Sequence, residues 1–154
     1  MQRVANCLLV NGSQALLLQK PSKGWWVAPG GKMEIGESIK ESVDREFREE
    51  TGLHLKNTIL KSVITMVVKD KEEVLSEWMM FTFKATGFDG KQCKESPEGI
   101  LKWVEIKDIL SLPMAEGDVY LFRHLLEGEG VMYGTFYYSP DFKLLSYRLD
   151  PKPD

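Results

Sequence analysis

Glu46, Glu49 and Glu50 fall within the stretch REFREE at residues 45–50. On a helix, side chains three and four positions apart are neighbours, so these carboxylates share one face. Like charges at that spacing repel by roughly 0.2–0.5 kcal/mol per pair. A cation among them would reverse that repulsion. Carboxylate oxygens with no clustered His or Cys suit Mg²⁺, which takes one or two carboxylates, keeps several waters and bridges to substrate phosphates. A phosphoanhydride carries the same sign of charge as this face, so the two can meet only across divalent cations. The chemistry implied is substitution at phosphorus by water, with metal stabilising charge and orienting the nucleophile.

These residues need a helix to hold them, and one is expected over residues 39–51. Ser38 is a good N-cap, and Glu41 three residues later completes a capping box. Gly52 can take the left-handed conformation that ends a helix. Ile39, Val43 and Phe47 give it an apolar stripe. Upstream, RVANCLLV at 3–10 reads as a strand ended by the turn signal NGS, and ALLLQK at 15–20 as its partner. A loop with Pro21 and Gly24, the short run WWVA and the breaker PGG lead to the helix.

Downstream, residues 57–69 and 73–86 read as two long strands around the charged turn KDKEE. In the second, Leu75, Met79, Phe81 and Phe83 share a side with Glu77, which is therefore either paired or pocket-lining. Met79 and Met80 read as core. LKWVEI at 101–106 is a further strand, KDILSLP a helical turn, and 118–128 a helix closed by Gly128. The tail GTFYYSPDFKLLSYRL reads as a hairpin across SPD. Strands and helices do not alternate as strict βαβ units. The expected class is α+β, a mixed β-sheet flanked by helices, in a single domain spanning 1–154.

Composition limits what this domain can be. With 43% hydrophobic and 28% charged residues, the chain is ordinary for a globular protein. A net charge of −3 argues against general nucleic-acid or anionic-membrane binding. Cys7 and Cys93, the only cysteines, sit in no metal pattern and read as reduced thiols. No signal peptide and no apolar run near the roughly 20 residues of a membrane span is visible. The expectation is a cytoplasmic protein, monomer or homodimer. Neither His54 nor His124 has a partner at ligand spacing, so both read as packing or surface residues.

Reading outward from REFREE gives GKMEIGESIKESVDREFREETGL, residues 31–53. Gly31, Glu37, Arg45, Glu46, Glu49, Glu50 and Gly52 stand at the spacing of the Nudix box, and the chain resembles the Nudix hydrolase family. Seven fixed positions match by chance at a given start more rarely than about one time in 10⁸. That disfavours an idle acidic helix, which needs neither the glycines nor the spacing. The resemblance implies the Nudix fold, an α/β/α sandwich, and Mg²⁺, with Mn²⁺ as an alternative. It implies Glu46, Glu49 and Glu50 as metal ligands, joined by the Gly30 carbonyl. Glu37 and Arg45 would brace the motif. Lys32, directly after the glycines, and Lys20 are candidates for substrate phosphate, beside Gly31. The general base in relatives is a box glutamate or one from a later loop. Here these are Glu46 and Glu98, with Glu95 as a neighbouring competitor.

Two further stretches, GWWVAPGGKMEIGES and the tail, resemble the branch that acts on 8-oxo-dGTP. That likeness makes Asp118 the candidate for the purine edge, although Val27 and Gly117 depart from the branch's pattern. Trp25, Trp26 and Tyr120 are aromatic enough to stack on a base, but core packing is the plainer reading. The expected activity is Mg²⁺-dependent hydrolysis of an 8-oxo-(d)GTP-type nucleotide to monophosphate and pyrophosphate. Alternatives are an alarmone hydrolase cleaving guanosine tetra- and pentaphosphate, an ADP-ribose or sugar-nucleotide diphosphatase, and a nucleotide-sensing module without catalysis. The partner expected is a nucleotide substrate, with no nucleic acid and no membrane.

Overall fold

The computed structural model describes residues 1–153. Strand β1 (Gln2–Asn11) turns at Gly12 into β2 (Gln14–Gln19), followed by β3 (Trp26–Val27), β4 (Gly30–Lys32) and helix α1 (Ile39–Thr51). The long strands β5 (Leu53–Asp70) and β6 (Glu73–Gly90) form a hairpin. Next come β7 (Ile100–Glu105), a 3₁₀ helix (Ile106–Ser111), α2 (Asp118–Glu127), β8 (Met132–Tyr138) and β9 (Leu144–Asp150). One sheet runs in the order β3-β2-β1-β6-β5-β8-β9, with β4 paired to β1 and β7 to β2. The β1–β6 and β5–β8 pairs are parallel and the others antiparallel, so the sheet is mixed as expected.

Alternation along each strand sends side chains to two opposite cores. Cys7, Leu9, Phe83 and Ala85 pack under α1 with Val43 and Phe47. Leu8, Ile64, Met66 and Phe136 pack under α2 with Leu121, Phe122 and Leu125. The helices thus cover the two faces of one sheet. Cys7, buried in the first core, has its thiol pKa pushed far up by desolvation, and both cysteines are free thiols.

Several boundaries depart from the sequence reading. PGG, expected as a breaker, instead enters β4, whose residues Gly30, Gly31 and Lys32 pair with Asn6, Ala5 and Val4. Close approach requires the glycines: a Cβ on Gly30 would lie 2.2 Å from the Ala5 carbonyl oxygen. The two long strands run further than 57–69 and 73–86, because Gly52 turns α1 directly into β5 and β6 follows its partner to Gly90. Their apolar face is not continuous either. Leu75 is 50% exposed and Glu77 is exposed, so the tip of this hairpin lies beyond the core. Met79 and Met80, read as core, are only partly buried.

Candidate active site

The box helix has the ends its sequence requires. Ser38 accepts from the Glu41 amide at 3.1 Å, and the Glu41 carboxylate accepts from the Ser38 amide at 2.8 Å. Gly52 caps the other end at φ 82°, its amide donating to the Arg48 carbonyl. Within that frame Arg45 gathers the acids. Its Nε and Nη2 donate to the two oxygens of Glu37 at 2.7 and 2.9 Å, a bidentate pair. Nη1 reaches Glu46 at 2.9 Å and Glu49 at 3.3 Å, and Nη2 also donates to the Lys32 carbonyl at 3.1 Å. One guanidinium therefore ties the loop before α1 to the helix, the bracing expected of Arg45 and Glu37. The hydrogen bonds from Arg45, with the Glu34 amide, hold Glu37 down to about 2. The same bonds raise Arg45 further still.

Glu50 is set apart from the other two acids. It is 4% exposed and accepts from the Gly30 amide at 3.2 Å. Burial pushes its carboxyl up to about 7; the Gly30 amide and the Lys20 charge oppose this, while the charges of Glu98 and Glu46 add to it. The loop acid Glu98 and Lys20 of the β2 end are thus brought to the box by the tertiary fold. Glu46 lies against β4, its Oε2 so close to Gly31 that a Cβ there would push the carboxylate from its present position.

Beside this acid face is a cleft of about 290 Å³. It opens where β1 exchanges partners: Leu9–Asn11 pair with β2, but Val4–Asn6 pair with β4. Lys20, Lys32, Gly30 and Gly31 all line it, as do Met80, read from the sequence as core, and Asn6, which the sequence reading did not single out. Asn6 is 8% exposed, and its amide accepts from Thr82 Oγ1 at 2.7 Å and faces the Met80 sulfur at 3.5 Å. The available signal was a polar residue inside the apolar run RVANCLLV.

Asp118 is not among the residues lining this cleft. It is the first residue of α2, beside the Tyr138 phenol, and desolvation pushes its carboxyl up to about 7. Of the aromatic candidates, Trp26 is core and Tyr120 packs on Phe136 and Tyr147. Trp25 meets Phe142 edge-on at 6.3 Å, under the Lys23 ammonium. His124 is buried with Nε2 at 3.0 Å from the Gly130 carbonyl, a packing role, and His54 is exposed.

Among the described residues, no three acid, His or Cys side chains already stand at ligating spacing. Arg45 holds Glu46 and Glu49, and Glu50 turns to the Gly30 amide. The donor set nevertheless fits a hard divalent cation. It is all oxygen, and Glu49 and Glu50 occupy the last turn of α1, where the negative end of the helix dipole disfavours carboxylates. A cation would offset both the dipole and the mutual repulsion.

A NUDIX domain model matches residues 1–125. The chain belongs to the Nudix hydrolase family. It is 54% identical to the Nudix hydrolase YvcI of Bacillus subtilis over 152 residues, covering 99% of this chain and 96% of that protein. A crystal structure of the MutT protein from Bacillus halodurans superposes with a TM-score of 0.96 at 57% identity, covering 99% of this chain and all of that one. An oxidized purine nucleoside triphosphate hydrolase of Danio rerio is 28% identical over 153 residues, 96% of this chain and 93% of that protein. As a Nudix hydrolase the chain is an enzyme acting on nucleoside polyphosphates, and the family uses a divalent metal such as Mg²⁺. No helix among the described residues is long and apolar enough to cross a membrane.

Proposed function

We propose that this Nudix hydrolase cleaves a phosphoanhydride bond of a guanine nucleoside polyphosphate, releasing a monophosphate and pyrophosphate from an 8-oxo-(d)GTP-type substrate. The observation that carries the reading is that the box acids, with Glu98 and Lys20 near enough to act on the Glu50 charge, adjoin a cleft lined by Lys20, Lys32, Gly30 and Gly31. Glu46, Glu49, Glu50 and the Gly30 carbonyl would hold Mg²⁺, which supplies charge stabilisation at the phosphoryl oxygens and orients the attacking water. Arg45 would keep Glu46 and Glu49 in place through its anchor on Glu37. Lys20 and Lys32 would draw the substrate's phosphates towards the acid face. Glu98 would take the proton from water as the bond from water oxygen to phosphorus forms and the anhydride bond breaks, with Glu46 as the candidate within the box.

The guanine assignment rests on likeness and on Asp118. The Danio rerio relative is named for oxidized purine triphosphates. The Asp118 carboxylate, beside the Tyr138 phenol, could accept hydrogen bonds from a guanine edge. The test is kcat/KM with Mg²⁺ for 8-oxo-dGTP, dGTP, guanosine tetraphosphate and ADP-ribose. Guanine nucleotides should lead, and the rank of 8-oxo-dGTP against the tetraphosphate separates the two guanine readings. ADP-ribose in first place would overturn the proposal. Glu46→Gln should lower kcat by about 10²-fold or more on every substrate. Asp118→Asn should erode only the guanine preference.

A further inference from the structure

A second cleft, of about 510 Å³, is lined by Asn57, Thr58, Ile59, Lys61, Lys84 and Thr86. It shares no lining residue with the cleft beside the Nudix box. Lys61 sits at a bulge, the residue between Leu60 and Ser62 where the β5–β6 register slips. A bulge re-aims a side chain, here towards the C-terminal end of α2. Lys61 is 6% exposed, and its Nζ donates to the Gly128 carbonyl at 2.8 Å. An ammonium has three donors, so two remain.

Lys84 lies across the hairpin, paired in register with Ile59. Burial lowers its pKa and the Lys61 charge lowers it further, with no carboxylate acting in the other direction. Neither lysine enters an ion pair among the described residues, although the chain carries 23 acids against 20 Lys and Arg. The Thr58 hydroxyl is buried with no hydrogen-bond partner. Buried charges are normally paired and buried hydroxyls normally bonded. The contact with Gly128 accounts for part of Lys61, as a cation at a helix C-terminus. Lys84 is half-buried, and nothing among the described residues pairs with it or with the Thr58 hydroxyl.

We propose that this cleft binds a phosphoryl oxyanion, with Lys61, Lys84 and Thr58 as its principal donors and Thr86 and Asn57 at its walls. Two ammonium groups, two hydroxyls and an amide offer more donors than a two-oxygen carboxylate can accept, and suit a phosphate group. The source is either a free anion, such as the inorganic phosphate products of nucleotide hydrolysis, or the phosphate of a nucleotide. The site does not depend on which substrate the hydrolytic cleft takes.

The experiment is a backbone amide chemical-shift titration of the metal-free protein with inorganic phosphate, pyrophosphate and guanosine monophosphate. Sodium chloride keeps ionic strength constant, so general screening cancels. Saturable shifts are expected over residues 57–61 and 84–86 with at least one anion, and the tightest of the three identifies the source. Lys84→Gln should abolish them, Thr58→Val should weaken them, and Glu46→Gln should leave them intact. Thr58→Val removes a hydroxyl with no partner among the described residues, so that variant retains its fold even where loss of the Lys61 contact to α2 would not be tolerated. Shifts confined to the surroundings of Lys20 and Lys32, no saturation with any anion, or a Lys84→Gln variant that titrates as wild type would overturn the site.

Discussion

At the scale of single residues, the three box glutamates have different physical situations despite their shared spacing. Glu46 and Glu49 answer to Arg45, whereas Glu50 is buried against the Gly30 amide with its pKa raised from 4.5 to about 7. A raised carboxyl pKa means that the folded metal-free protein holds a proton the unfolded chain has lost. Its stabilising share is therefore complete below about 4.5 and disappears as pH rises through about 7. Asp118 acts with the same sign, its carboxyl also near 7. Glu37, at about 2, acts oppositely, but its share is lost only as pH falls below the ordinary carboxylate range. In EDTA, the urea midpoint of the wild type should drop between pH 5 and 7, and Glu50→Gln should show a smaller drop. Identical slopes in the two proteins would mean that Glu50 is not the desolvated acid described here.

At the scale of elements, α1 is fixed at both ends and the site inherits its precision from those ends. The capping box sets where the first turn begins, and with it the rotation that presents Glu46 to β4 and Glu50 to Gly30. Ser38→Ala removes one half of the reciprocal pair and leaves an amide without its partner. The expected loss is about 1 kcal/mol in urea-unfolding stability, with the fold retained. An unchanged midpoint would show that the loop held by Arg45 and Glu37, rather than the cap, determines the start of α1. The exchange of partners along β1 matters equally. Because β4 replaces β2 beside Val4–Asn6, the sheet opens where the glycines and Lys20 meet.

For the whole molecule, the box acids of α1 and the unpaired lysines of the β5–β6 hairpin lie at different places, and metal binding should register as global stability. A ligand that binds only the folded state stabilises by mass action, about 2.7 kcal/mol at a concentration roughly a hundredfold above its Kd. For a chain of this length each kcal/mol raises Tm by about 2–4 °C. Saturating Mg²⁺ should therefore raise Tm by several degrees over EDTA in scanning calorimetry. Glu46→Gln should lose most of that gain, and an equal gain in the variant would place the metal elsewhere.

Much of this was legible in one dimension. Helix periodicity, Ser38, Glu41 and Gly52 defined α1 because capping and left-handed termination are local chemistry read within a few residues. The box spacing identified the family for the same reason: one helix and its flanking turns carry the motif. The mixed sheet could be anticipated from the order of strands. What the sequence could not decide are the meetings between distant segments. PGG looked like a breaker because its strand role depends on Asn6 and Ala5, more than twenty residues upstream. Asn6 as a wall of the cleft, Glu98 beside Glu50, Asp118 outside the cleft lining, and Lys61 facing Lys84 with no counter-ion all follow from strand register and burial. Those are set by the simultaneous packing of two cores on one sheet, and only the tertiary structure contains them.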